Sequence, residues 1–190
     1  MDALRATPPL ALPRELRWCL SLNRWGARPA ALRFFGAVSR LGDGAAWYAL
    51  IALLPLAFGP SAAAASLHLG LAALVNVALY RTLKGWTRRP RPFRRLGAIK
   101  AHVAPLDEFS FPSGHTLHAV TLTLIACWYF PVLAVVLVPF ALAVAASRVV
   151  LGLHYPSDVL AATLIGLGIA WCSIELATTT GVAAVALGAG

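Results

Sequence analysis

The chain has 190 residues and a formal net charge of +9, yet only 12% of its residues are charged and 59% are hydrophobic, with a mean hydropathy of +0.76. Soluble domains run about half apolar and about a quarter charged, so this composition excludes an ordinary soluble enzyme and specifies a membrane protein. The length allows one compact bundle and leaves no room for a large second domain, so residues 1–190 read as one membrane-embedded unit.

Residues 1–15 carry Pro8, Pro9 and Pro13 and no apolar core, so no cleavable leader is expected there. Residues 14–40 alternate Leu, Trp and Phe with arginines and are broken at Arg28-Pro29. They read as two amphipathic helices lying in the membrane interface, with Arg stems snorkelling beside aromatic rings. Arg33 and Arg40 weigh against a span over residues 30–41. A first span is expected over 44–59, ended by the Gly59-Pro60 turn, and a second over 61–83. A third runs over 113–130 to an interfacial Trp128-Tyr129 pair, and a fourth over about 132–149 after Pro131. A fifth begins near Ser157-Asp158, an N-cap signal, and continues to about Ile174. Residues 177–190 are apolar but too few to cross alone. The expected fold is an all-α, polytopic membrane helical bundle of five to six transmembrane helices, 44–176, preceded by the basic interfacial segment 1–43. Cys19, Cys127 and Cys172 show no ligand spacing and read as small hydrophobes.

Three polar islands punctuate these spans. The first is Lys84-Gly85-Trp86-Thr87-Arg88-Arg89-Pro90-Arg91-Pro92, the second Pro112-Ser113-Gly114-His115, and the third Ser147-Arg148 with His154 and Asp158. If the spans alternate in direction, all three fall on one side of the membrane. Together they offer what phosphoryl transfer needs: cations around the transferring group, an in-line nucleophile and a proton for the leaving oxygen. Lys84, Arg91 and Arg148 supply the cations. Ser113 and Gly114 open a helix whose N–H groups and dipole suit an anion, and His115 is placed to act as general acid. The His154–Asp158 spacing lets a carboxylate hold one ring nitrogen and leave the other free to attack phosphorus. A covalent phosphohistidine follows, with no metal and no cofactor required. The cations flank apolar runs, so a lipid phosphate and the bilayer are the expected partners and nucleic acid is not.

Lys-x6-Arg-Pro, Pro-Ser-Gly-His and Ser-Arg-x5-His-x3-Asp, in this order, resemble the type 2 phosphatidic acid phosphatase superfamily, the lipid phosphate phosphatases. The match falls on Lys84, Arg91, Pro92, Pro112 to His115, Ser147, Arg148, His154 and Asp158, and extends over residues 61–176. The resemblance implies that His154 is the nucleophile, His115 the acid and the cations the phosphate holders. It also implies hydrolysis of a lipid phosphate monoester or diphosphate, such as phosphatidic acid, phosphatidylglycerol phosphate or an isoprenoid diphosphate. Relatives with six spans are common in that family, and this chain offers five.

Blander readings stand beside these. Arg88, Arg89, Arg94 and Arg95 read as membrane anchors, Asp43 as a helix N-cap with a pocket position as the alternative, and His118 as packing or pocket lining. Asp107 and Glu108 read as solvated or as a gate over the basic loop, and His68 and His102 have no nameable partner. A phosphoryl transferase on the same scaffold and a non-catalytic lipid-phosphate carrier are the competing functions; the paired histidines and Asp158 argue against the carrier. A bacterial-type inner membrane location is expected. Seven arginines before residue 44 and seven cations over 84–100 place the islands on the cytoplasmic face by the positive-inside rule.

Overall fold

The structure is a computed structural model that describes residues 12–186; residues 1–11, on which Arg5 and the expectation about a leader fall, and 187–190 lie outside the description. Within it the chain is an all-α polytopic bundle: α1 (Arg14–Gly26), α2 (Pro29–Arg40), α3 (Ala46–Phe58), α4 (Ala63–Thr87), α5 (Pro92–Arg95), α6 (Gly114–Tyr129), α7 (Ala134–Val150), α8 (Pro156–Thr179) and α9 (Val182–Ala186). Its surface identifies the solvent. Leu56 is 82% exposed and Val135 79%, alongside Leu53, Leu71, Leu74, Val136, Leu142, Leu160, Leu164 and Trp171. So many bare apolar side chains around the middle of the rods belong against hydrocarbon.

The main departure from the sequence reading is at the front. α2 and α3 follow one another within 29–58 with no loop between them, joined by a kink at Leu41–Ala45 where Gly44 leaves the helical conformation. Arg33 and Arg40 are both exposed and lie two turns apart, so they share one outer stripe and leave the helix intact, while Val38 and Ser39 face inward. Gly44 takes φ +139° inside the kink, a conformation that only glycine adopts without strain. Four rods are long and apolar enough to cross a membrane: 29–58, 60–87, 131–150 and 156–179.

The fifth rod, α6, has only 16 residues and is the hub, packed on α4, α7 and α8. At 1.5 Å per residue it is roughly 24 Å long. Leu117, Ala119, Leu122, Ile125 and Ala126 on it are fully buried. Small residues let its neighbours approach: a Cβ on Gly166 of α8 would stand 3.1 Å from Val120, and Ala162 and Ala170 of α8 are buried. Deep polar groups are partly satisfied: His68 Nδ1 and the Tyr129 hydroxyl share a 3.0 Å hydrogen bond and Thr121 donates to Asn76 at 3.4 Å, while His68 Nε2 and Asn76 Nδ2 have no partner among the described residues. After Gly181, α9 folds back on α4 and α8 and buries Ala183 and Ala186, so the described tail adds no span.

At the other end α1 is amphipathic, as expected, and clamps the loops. It buries Leu16, Cys19, Leu20, Asn23 and Gly26 and leaves Trp18, Leu22 and Trp25 exposed. Asn23 donates to the carbonyls of Lys100 (2.9 Å) and Val150 (3.1 Å) and accepts from the Lys100 N–H (2.9 Å). A Cβ on Gly26 would stand 2.3 Å from Val150, so the crossing requires glycine. Cys19 lies under His154, and burial, with Glu15 and Asp158 adding to it, pushes its thiol up to about 12. It is an inert hydrophobe.

Candidate active site

The C-termini of α4 and α7, the N-termini of α6 and α8, and the loop 88–113 converge at this end. Arg88, in the left-handed region at φ 43°, stops α4 and turns the chain towards Arg91. Pro92 begins the single turn of α5, and Ser113 caps α6 by accepting from the Thr116 N–H at 3.4 Å. They surround a cavity of about 930 Å³ whose polar end is lined by Asp43, Lys84, Arg91, Asp107, Gly114, His115, Arg148 and His154. Six of the eight candidate residues therefore meet in one space. Ser113 and Asp158 are fully buried behind it, where Ser113 is a cap and its N–H reaches the Asp158 carbonyl at 3.4 Å. The expectation that the Ser113 N–H faces an anion is not met; Gly114 alone of that pair lines the cavity.

His154 is 1% exposed. Its Nδ1 donates to the Ser110 carbonyl at 2.6 Å, and its Nε2 accepts from Arg91 Nη1 at 3.2 Å. Those partners fix the tautomer with the lone pair on Nε2. Burial, reinforced by Arg148, Arg91 and Lys84, holds the imidazole well below its ordinary 6.5, so the ring is neutral. The expected direct bond to Asp158 is replaced by the Ser110 carbonyl: Asp158 Oδ2 is 3.6 Å from Nδ1. Asp158 instead accepts from the Tyr155 N–H at 2.9 Å, capping α8, and pairs through Oδ1 with Arg89 at 2.6 Å. Arg89 is thus no free anchor. It also pairs with Glu15 of α1 at 2.7 Å and stacks 4.0 Å over the Tyr155 ring, tying α1 to the start of α8.

The cations are held from behind. Arg91 donates through Nε to the Asp107 carbonyl (3.1 Å) and through Nη1 to the Leu153 carbonyl (2.9 Å). Arg148 donates to Ser39 of α2, and its buried Nε has no hydrogen-bond partner among the described residues. An orphaned guanidinium donor on a cavity wall suits an incoming anion. The Asp107 carboxylate bridges Lys84 (2.5 Å) and Arg91 (2.7 Å). Burial alone would raise its pKa, but the two cations outweigh that and hold it below the usual carboxylate value. Glu108 pairs with Arg94 at 2.7 Å. His115 Nε2 is bonded to Asp43 of the kink between α2 and α3, so Asp43 is a pocket residue and not the cap expected. His118 does both things weighed for it, lining the cavity and bonding back to the Gly114 carbonyl at 3.1 Å.

A helical membrane bundle that gathers three histidines and three buried cations into one cavity defines an anion-handling membrane enzyme. The PAP2 superfamily profile matches residues 65–181. The chain is 33% identical over 141 residues to decaprenylphosphoryl-5-phosphoribose phosphatase of Mycobacterium tuberculosis, covering 73% of this chain and 76% of that one. Among solved structures, LpxE of Aquifex aeolicus superposes with TM-score 0.74 at 26% identity, over 87% of this chain and 97% of its own. A transmembrane PAP2-type phosphatidylglycerolphosphate phosphatase from Bacillus subtilis shares the fold, with TM-score 0.68 at 22% identity over 85% of each chain. This chain therefore belongs to the PAP2 superfamily, the type 2 phosphatidic acid phosphatases, and is a multi-pass membrane phosphatase.

Proposed function

We propose that the chain hydrolyses a lipid phosphate monoester or diphosphate without a metal, through a phosphohistidine on His154. The observation that carries this is the His154 ring, neutral, buried and held by the Ser110 carbonyl with its Nε2 lone pair towards the cations. Lys84, Arg91 and Arg148 neutralise the phosphoryl oxygens, the work a metal ion does elsewhere. Nε2 attacks phosphorus, the bond from phosphorus to the lipid oxygen breaks, and His115 gives that oxygen a proton. Water then attacks the phosphohistidine, losing its proton to His115, and phosphate leaves. Asp158, held by Arg89, supplies the negative charge beside the ring.

Away from the polar end the cavity continues along Ile51, Leu67, Leu71, Leu74 and Val77 of α3 and α4, which fits a lipid chain. Phosphatidic acid, phosphatidylglycerol phosphate and isoprenoid diphosphates are the candidate substrates, and the mycobacterial relative's name adds a polyprenyl-linked phosphosugar. The arginines of α1 and of loop 88–100 lie at the site end, which supports a cytoplasmic site in the cell membrane. Purified protein is expected to release phosphate in EDTA, and His154→Ala to release none. Phosphate release by His154→Ala at the native rate overturns the mechanism, and a lipid panel ranked by kcat/KM assigns the substrate.

A further inference from the structure

The kink between α2 and α3, where Gly44 leaves the helical conformation, carries Gly42-Asp43-Gly44. Sharp helix kinks arise where residues such as glycine break the backbone hydrogen-bond ladder. Here the kink brings the Asp43 carboxylate onto Nε2 of His115, while Ser39, one turn earlier, receives Arg148. The flanking glycines make the approach possible. A Cβ on Gly42 would stand 3.1 Å from Val144 of α7, and Gly44 sits at φ +139°. Asp43 retains 37% side-chain exposure and lines the cavity, so it is not sealed in as a packing residue. Among the described residues, the other ring nitrogen of His115, Nδ1, has no hydrogen-bond partner.

We infer that Asp43 is the positioning residue of the acid–base histidine: it holds the proton on His115 Nε2, leaving Nδ1 as the atom that exchanges a proton with the substrate. This rests on the mechanism proposed above and adds a second carboxylate–imidazole pair to it. In the first half-reaction His115 acts doubly protonated: a lipid phosphate monoanion delivers the second proton to Nδ1, and the phosphate and the carboxylate together supply the counter-charge that an imidazolium needs beside Arg148 and Lys84. As His154 Nε2 bonds to phosphorus, the electron pair of the breaking P–O bond goes to the lipid oxygen. That oxygen takes the Nδ1 proton. His115 is left neutral, its remaining proton still on Nε2 against Asp43, with a lone pair on Nδ1. In the second half-reaction Nδ1 takes a proton from the attacking water, the P–N bond to His154 breaks, and the imidazolium is restored. Without the carboxylate the neutral ring can carry its proton on either nitrogen, and half the cycle finds the wrong tautomer.

The test is leaving-group dependence. An alkyl phosphate needs a proton on its departing oxygen, whereas p-nitrophenyl phosphate expels a stable anion and needs little help. Asp43→Asn is expected to lower kcat on a lipid alkyl phosphate by about 10²-fold, the lower end of general acid catalysis. The loss of phosphohistidine formation on p-nitrophenyl phosphate, read as the pre-steady-state burst of nitrophenolate, is expected to stay below roughly fivefold. Asp43→Glu, which keeps a carboxylate, is expected to recover part of the alkyl rate. In a His115→Ala background Asp43→Asn should cost nothing further. Equal losses on both substrates, or no loss on either, overturn the inference, as does a variant that fails to fold, which would make Asp43 a structural residue. His154→Ala run in parallel separates the two claims. If it retains turnover on both substrates the phosphohistidine reading fails; if it is inactive and Asp43→Asn loses both rates equally, only the role of Asp43 fails.

Discussion

Asp107→Asn isolates the electrostatics of the cation cluster. The carboxylate bridges Lys84 at 2.5 Å and Arg91 at 2.7 Å, two cations only 6% and 1% exposed, and phosphate oxygens must take its place. Asparagine keeps the shape, and the backbone bond from Arg91 Nε to the residue 107 carbonyl at 3.1 Å is untouched, so the loop keeps its anchor. Removing one partner of a fully buried ion pair costs about 3–5 kcal/mol. The Asp107 side chain is 37% exposed, however, and solvent screening reduces this to about 1–2 kcal/mol. That cost falls on the unliganded protein and is relieved when an anion arrives, so it reappears as affinity, roughly tenfold at about 1.4 kcal/mol per decade. Steady-state assays should show KM for the lipid phosphate and the inhibition constant for inorganic phosphate both falling roughly tenfold, with kcat changing less. Thermal unfolding should show the variant less stable alone and gaining more than the native protein from added phosphate. A rise in KM would refute the reasoning, because it would mean that Asp107 positions the cations for substrate and does not compete with it.

Arg89→Gln should lower stability by about 2–4 kcal/mol, because it strands the fully buried Asp158 carboxylate, whereas Glu15→Gln, at a partly solvated pair, should cost at most about 1 kcal/mol; both are read from denaturant or thermal unfolding in detergent. Because folded His154 is held well below its ordinary 6.5, the unfolded chain binds more protons between the folded value and 6.5. Stability should therefore fall as pH drops below 6.5, and His154→Gln should flatten that decline. Gly152→Ala should destabilise the site end and lower kcat, since φ is +78° there and a Cβ would stand 2.4 Å from the Lys100 carbonyl. A single cysteine at position 101, with Cys19, Cys127 and Cys172 replaced, should resist an impermeant thiol reagent in intact cells and react after lysis if the site is cytoplasmic.

Sequence periodicity located the rods because bilayer thickness imposes long apolar runs, and α4, α7 and α8 begin and end within a few residues of the expected breaks, α8 running on to Thr179. It did not show that α2 runs into α3 with only a kink between them, because two arginines a heptad apart look like an interruption in one dimension and form a single outer stripe on a helix. Lys84, Arg91, Gly114, His115, Arg148 and His154 were legible because their spacing ties each to a helix end, and alternating rods bring those ends together. The second layer was not. Arg89 looked like one more juxtamembrane cation, and its pairing with Asp158 depends on how α8 docks. The Ser110 acceptor is a backbone carbonyl, which carries no side-chain signal. Asp43 lies 72 residues from His115, and the kink between α2 and α3 brings it there; its one clue in sequence was a carboxylate set between two glycines ahead of an apolar run.

The central claim is the covalent intermediate, and rapid acid-free quenching of the protein during turnover of a 32P-labelled lipid phosphate in EDTA, followed by peptide mapping under alkaline conditions, tests it most directly. The account predicts one acid-labile, alkali-stable phosphoryl group on the peptide containing His154, abolished by His154→Ala and accumulating when hydrolysis is slowed. Label on another residue, or full turnover dependent on a divalent metal with no labelled histidine under any quench, would contradict it.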